Sequence, residues 1–513
     1  MDLGRRRFLA LGAGAGLAVA GGGLLTACGG RPSLHTGGTL AVALPEYPAV
    51  LNPASGTSDV ARWIADPVVE ALYAYRDDTT LEPVLAAADP QVSPDGLTWT
   101  VRLRDGVRFG NGDAFDASHV AEVLRHVGQA STAGDWAPYL AGRFASVDAV
   151  APDTVRIVLA RPFGVLRQFL AALPVPHAAT LGDPQALVGT GPFRADAVVP
   201  GQSVRLLRND GYRGPKAPLD GMEFRIVADG TARTAELRAG RVRIDPRLGP
   251  EALKAVQKSG SLQAHAVPAP VDLVTALNLR RAPFSDIAVR RALAAGMDRR
   301  AVRDTVWKGF AQLGQGPVGP ATEGWTDTYQ WFGESVDADR VRVLLGEAGV
   351  PAPVRFTLLT TGPDEVRATA AALVTQWSRV GFDVRTEDVD ADTWRRRRRA
   401  GDYDLALSLR RPAYATGRTA FDVLSPAASD HPDNTGYANP ELDRLLAEAW
   451  ATPDTSRRAK LCALANEILV RDAVMMPPVH PRLLVAQTRG VESLNEKQLA
   501  LGRLELADLH LRS

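Results

Sequence analysis

The sequence predicts an α/β fold spread over two to four domains. One observation is a strand, a helix and a strand in succession over 355–359, 364–380 and 382–386, where the apolar period switches from two to that of a helix and back. A second is length, since 513 residues leave room for more than one core at roughly 100 to 200 residues per domain. The third is composition: 45% hydrophobic and 23% charged is a globular balance, and no apolar run is fit to build a membrane bundle. With 59 basic against 58 acidic side chains and no basic block on the scale of a binding face, nucleic acid is not an expected partner.

The elements follow in order. Thr39-Leu40-Ala41-Val42-Ala43-Leu44 reads as a buried strand closed by Pro45. Over 63–75, Ile64, Val68, Val69, Leu72 and Tyr73 keep helical spacing and predict a helix. Residues 98–103 alternate as a strand, and the Asp105-Gly106 turn predicts a hairpin with Val107-Arg108-Phe109. A helix is expected over 118–127, and strands over 155–159 and 204–207. In the strand-helix-strand unit Val366, Ala370, Leu373, Val374 and Trp377 share one helix face, so the crossover should be right-handed and its strands parallel. Residues 403–409 add a strand, and because ligands gather at the carboxyl ends of such strands, 410–417 is a candidate site. A last helix is expected over 457–470, with Cys462 as a buried small hydrophobe and no catalytic role.

The first residues have a separate logic. Arg5-Arg6-Arg7-Phe8-Leu9 precedes a weakly apolar run that ends at Leu25-Thr26-Ala27-Cys28. A positive segment, a short apolar segment and small residues before a cut site describe an export signal, and it resembles the twin-arginine type. Leu-Thr-Ala-Cys resembles the bacterial lipobox, which implies that Cys28 is lipidated and becomes the first mature residue. Removing 1–27 takes away three Arg and one Asp, moving the formal charge from +1 to −1. Charge then cannot hold the body on an anionic membrane; acyl chains must. The competing reading is a short membrane helix kept as an anchor.

Several phrases, in order along nearly all of the mature chain, resemble the extracellular solute-binding proteins of family 5, the oligopeptide-, dipeptide- and nickel-binding lipoprotein components of ABC importers. They include Leu51-Asn52-Pro53, Glu70-Ala71-Leu72-Tyr73, Ser93-Pro94-Asp95-Gly96, Gly189-Thr190-Gly191-Pro192-Phe193, Leu277-Asn278 with Pro283-Phe284-Ser285-Asp286, and Thr435-Gly436-Tyr437 with Leu442-Asp443. Each also reads as scaffold: Ser-Pro-Asp-Gly is a turn, Asp286 an N-cap, and the Gly189 segment a place where backbones pass closely between lobes.

The resemblance implies a periplasmic-binding-protein-like fold (class II, cluster C), with two lobes, an extra subdomain and a ligand cleft. The expected division is a signal peptide at 1–27, a tether at 28–36, a first-lobe core at 37–60, 186–270 and 479–513, its subdomain at 61–185, and a second lobe at 271–478. Crossings near 268–271 and 476–481 would form the hinge. The implied partners are a small-molecule or peptide ligand, ABC permease subunits and the membrane through the N-terminal lipid, with the protein a monomer exported to the outer face of the cytoplasmic membrane.

Dipeptide and oligopeptide binders of the family carry a Trp-x-x-Asp stretch after the last second-lobe strand, whose Asp takes the ligand's amine. The stretch here, Ser408-Leu409-Arg410-Arg411-Pro412-Ala413-Tyr414, has neither residue, and no acid lies between Leu405 and Phe421. Arg410 and Arg411 could instead hold an anionic group, with Tyr47, Trp325, Tyr414 and Tyr437 around it. The competing reading of the two arginines is a solvated surface pair or a salt bridge to the facing lobe. The run Arg395-Arg396-Arg397-Arg398-Arg399 reads as a solvated helix face.

Catalysis finds little support: Gly-x-Ser-x-Gly, a phosphate loop and His-Glu-x-x-His are all absent. The eight His are scattered, and His119 and His126, two helical turns apart, lack a third ligand, so neither a direct metal site nor a cofactor is expected, while a metal carried inside an anionic chelate stays open. The expected function is a lipid-anchored substrate-binding protein that closes on a peptide-like or other small polar solute, anionic ones included. The alternative is an envelope lipoprotein that keeps the fold for a regulatory or assembly role.

Overall fold

The computed structural model describes residues 37–512 except 57, 327–332, 411–419, 430 and 432–434. The expected signal segment, Cys28, the tether, Arg411 and Tyr414 lie outside the described residues. No described helix is long and apolar enough to cross a membrane.

The strand Thr39–Leu44 sits inside a seven-stranded sheet, parallel to Gly221–Ile226 on one side and to Ile244–Asp245 on the other. Leu40, Val42, Ala43 and Leu44 are all buried, as expected of a central strand covered on both faces. Ser203–Arg208 and Phe193–Val199 extend the sheet on the Gly221–Ile226 side. The distant segment Leu483–Thr488 completes it on the other, antiparallel to Leu262–Val267.

A second sheet has the order Asp272–Leu277, Leu405–Arg410, Val354–Thr361, Phe382–Asp388. Val354–Thr361 runs parallel to both its neighbours, and the helix Asp364–Ser378 makes the crossover to Phe382–Asp388. Val366, Ala370, Leu373 and Trp377 from that helix are buried, and Val374 packs at the edge of the same core. Asp286 Oδ1 accepts from Ala288 N at 2.7 Å and caps the helix Ile287–Ala295. The chain passes from the first sheet to the second between Val267 and Asp272, and returns through Val479–Pro481, which pairs with Ala311–Leu313.

A third sheet joins Gln91–Val92, Thr98–Arg102, Thr154–Leu159 and Phe144–Ala151. The Ser93-Pro94-Asp95-Gly96 turn links the first two, with Gly96 at φ +72° and Asp95 Oδ1 accepting from Leu97 N at 2.9 Å. The hairpin expected between 98–103 and 107–109 does not form. Thr98–Arg102 takes its ladder from Thr154–Leu159, while 107–115 folds back on itself, with Phe115 N donating to Val107 O at 3.0 Å and Val107 and Phe109 buried. The expected helix over 63–75 is also corrected. The helix is Asp59–Ala65, and Pro67 stops it, because proline has no N–H for the next turn.

The carbonyls released beyond that stop are satisfied by the Gly189 segment: Gly191 N donates to Val68 O at 2.8 Å and Phe193 N to Pro67 O at 3.0 Å. A Cβ on Gly189 would stand 2.1 Å from Val68 O, so only glycine fits. This close passage lies inside the first lobe, not between lobes, because Val68, Val69 and Phe193 share the first lobe's core.

The helices Pro440–Ala451 and Thr455–Arg471 bury their apolar faces against residues of 61–185. Phe421 joins the two groups, its ring 5.2 Å from Phe169 and 4.7 Å from Trp450. Cys462 is a free thiol in this core, its pKa pushed up by burial.

Candidate functional site

A cleft of about 1680 Å³ opens between the two main sheets. Its first-lobe wall is built at the carboxyl ends of three neighbouring strands: Pro45 and Glu46 follow Thr39–Leu44, Asp229 follows Gly221–Ile226, and Arg247 follows Ile244–Asp245. Its second-lobe wall is built the same way from Gly362, Val389 and Arg410. Strand ends leave main-chain groups and loop side chains free to face a ligand, which is why this edge of a parallel sheet hosts sites. Tyr139 borders one side, with the buried rings of Trp136 and Phe169 behind it.

Charge is distributed on both walls. On the first, Arg247 Nη2 lies 2.8 and 2.9 Å from the two carboxylate oxygens of Asp59, with Nη1 3.5 Å from Glu46 Oε1. Burial works against that guanidinium, and Asp59 and Glu46 more than offset it, so its pKa is raised. Behind it, Arg233 Nε reaches Asp245 Oδ1 at 3.2 Å and its other nitrogens donate to the carbonyls of Val227, Ala228 and Arg247 at 3.0, 2.7 and 3.0 Å. One side chain thereby ties three segments of the wall together. Burial pushes the Asp245 carboxyl above the ordinary range despite the arginine.

On the second wall Arg410 Nη2 lies 3.3 Å from Asp272 Oδ2, so its guanidinium is paired within its own lobe. His480 Nε2 donates to Gly316 O at 3.0 Å, and its Nδ1 lies 3.6 Å from Asp272 Oδ1. Asp272 opens the first strand after one crossing and His480 lies on the return crossing, so this buried group sits where the chain passes between the two sheets.

Arg410 therefore faces the cleft, and the other described candidates lie outside its lining. Tyr47 donates its hydroxyl to Gln185 Oε1 at 2.6 Å. Tyr437 is buried and donates to Asp472 Oδ2 at 2.5 Å, burial raising its pKa. Trp325 is a partly exposed aromatic away from the cleft. His119 contacts Asp116 Oδ1 at 3.1 Å and packs its ring on Phe109 and His177.

The arginine run is largely solvated, as expected, with Arg395, Arg396 and Arg399 exposed. It belongs to the helix Ala391–Ala400, and Arg395, Arg398 and Arg399 line the cleft beside Trp394, while Arg397 is held by Glu387 and Asp402. The available signal was Asp390, an N-cap directly after the strand Phe382–Asp388, which starts the helix at the ligand edge of the sheet. Arg247, Asp59 and the aromatic side were also missed, since no local pattern marks them.

A family model described as bacterial extracellular solute-binding proteins, family 5 Middle, matches residues 80–432. The chain is 27% identical over 483 residues to the glutathione-binding protein GsiB of Escherichia coli (strain K12), covering 88% of this chain and 90% of that one. Among solved structures, the ABC transporter-associated periplasmic binding protein DppA from Helicobacter pylori in complex with peptide STSA matches with a TM-score of 0.83 at 22% identity, over 93% of this chain and 99% of that one. The binding protein AgaA in complex with agropinic acid, from A.tumefacien R10, matches with a TM-score of 0.80 at 21% identity, over 93% and 99%. These likenesses establish the fold as the two-lobed α/β fold of periplasmic binding proteins. The chain belongs to the bacterial extracellular solute-binding proteins of family 5.

Proposed function

We propose that this protein is the lipid-anchored substrate-binding component of an ABC importer, capturing a peptide-like or other small polar solute by closing its lobes. The observation that carries the proposal is the cleft itself, with charged groups of both signs set at the strand ends of two lobes that meet at two chain crossings. A mosaic of this kind suits a small solute with both charged and polar groups. The names of the similar proteins support it: one binds glutathione, one is in complex with a peptide and one with agropinic acid.

In this reading the crossings at 268–271 and 476–481 absorb the rotation while each lobe moves as a body. A solute favours the closed state only through contacts it gains there, and the permease reads that state. The Arg5-Arg6-Arg7 segment directs export, and lipid on Cys28 holds a body of formal charge −1 at the outer face of the cytoplasmic membrane.

The test is a thermal-shift screen of the purified protein against short peptides and small carboxylates. Binding at micromolar or tighter affinity, about −8 kcal/mol or better, is the expected result. A protein that shifts with no member of the screen would favour the regulatory or assembly alternative, which the acid-free stretch between Leu405 and Phe421 motivates. For the anchor, radiolabelled palmitate should enter the wild type and not Cys28→Ala.

A further inference from the structure

The turn Trp307-Lys308-Gly309-Phe310 breaks a local rule. Phe310 N donates to Trp307 O at 2.7 Å, and both central residues lie in the left-handed region, Lys308 at φ +52° and Gly309 at φ +85°. Glycine, asparagine and aspartate are the usual occupants of such positions, because in that region a Cβ crowds the following carbonyl. The turn also follows the π-helix Val302–Val306, a rare winding that recurs at functional sites. Trp307 fixes the turn to the core of the second sheet, buried there with Nε1 donating to Thr369 Oγ1 at 3.2 Å. A lysine kept in this conformation needs a compensating contact.

That contact crosses to the first lobe. Lys308 Nζ lies 3.1 Å from Glu251 Oε1, in the first turn of the helix Pro250–Gln257, whose Leu253 and Val256 pack with Ala43, Leu484 and Ala486 of the first sheet. Phe310 packs against the same core, and Arg482 N donates to its carbonyl at 3.0 Å. From the helix that carries Thr369, Glu365 approaches the same helix start, where a Cβ on Gly249 would lie 3.1 Å from its Oε1. We propose that the 307–310 turn is an interlobe latch, in which the Lys308–Glu251 ion pair holds the lobes in the approach described here and lets go as they open. The inference rests on the lobe movement proposed above and adds the residues that set its equilibrium. Glu251 is exposed, so the pair is weak, and a solute's own contacts rather than the latch decide closure.

The test is pulsed electron paramagnetic resonance on the full chain with nitroxides at Ala232→Cys and Arg396→Cys, exposed positions on helices of opposite cleft walls, in a Cys28→Ala background with Cys462 buried. Without solute, Lys308→Gln and Glu251→Gln should each move the distribution toward the longer separation, changing the ratio of short to long by roughly two- to fivefold at unchanged melting temperature. The exchanged pair, Lys308→Glu with Glu251→Lys, should return the distribution to that of the wild type, which a turn that only shapes the fold would not do. Single variants that keep the wild-type distribution overturn the latch and leave the solute-binding reading standing. An exchanged pair that stays open like the single variants overturns it as well, assigning the effect to the backbone of the turn. One separation in every variant, unmoved by a pool of short peptides and small carboxylates, overturns both the latch and the lobe movement.

Discussion

Arg410, at the carboxyl end of one second-lobe strand, holds Asp272, at the start of its antiparallel neighbour, with Nη2 3.3 Å from Oδ2. The contact lies where the chain enters the second lobe, and both side chains line the cleft. Asp272 is buried, so truncating it removes a buried carboxylate from both Arg410 and His480. Asp272→Ala should destabilise the protein by about 3 to 5 kcal/mol in urea unfolding. A loss under about 1 kcal/mol would place the pair among solvent-screened contacts.

The Arg233–Asp245 pair behind the first-lobe wall predicts a pH dependence. Burial raises the Asp245 pKa above its unfolded value of about 3.8, so the folded chain holds a proton there that the unfolded chain releases. This contribution to stability is fully present below that value and is lost as pH rises through the folded pKa. Asp245→Asn removes the group from the titration. The stability of the wild type minus that of Asp245→Asn should fall as pH rises from about 3.8, then level off. Urea midpoints measured from pH 4 to 8 check this, and a difference that grows with pH would contradict the sign.

Gly189 has no space for a side chain, its Cβ position lying 2.1 Å from a backbone oxygen. Backbone cannot rotate aside as a flexible side chain can. Gly189→Ala is expected to cost about 3 kcal/mol or more, and a variant that melts with the wild type would show that the 67–69 segment yields easily.

Phe421 bridges two parts of the chain that sequence placed in different lobes. Its ring is buried against Phe169 of the 61–185 region and Trp450 of the helix Pro440–Ala451. Phe421→Ala should cost about 3 to 5 kcal/mol and should lower the unfolding of both regions together. Hydrogen exchange that loosens only one region would separate them.

How far the sequence reached depended on the range of the forces involved. The unit from Val354–Thr361 through Asp364–Ser378 to Phe382–Asp388 was legible because apolar period, turn residues and length all agree locally. The 98–109 hairpin was not, because Asp105-Gly106 specifies a turn but not a partner, and Thr154–Leu159 offered a longer ladder. In the 63–75 stretch apolar spacing pointed past Pro67, yet the missing N–H ended the helix at Ala65. The site was legible only at Arg410, where a strand's end is visible in the sequence. Arg247 and Asp59 acquire their surroundings from segments far away in the chain. Arg395, Arg398 and Arg399 look solvated by composition, and their helix turns one side to the cleft.

The central claim is that the cleft holds a small solute, and native mass spectrometry of the protein purified from its own envelope tests it most directly. The account predicts one small polar molecule per chain, released on denaturation and regained from a pool of short peptides and small carboxylates. A chain that stays at its bare mass before and after exposure to that pool would contradict it.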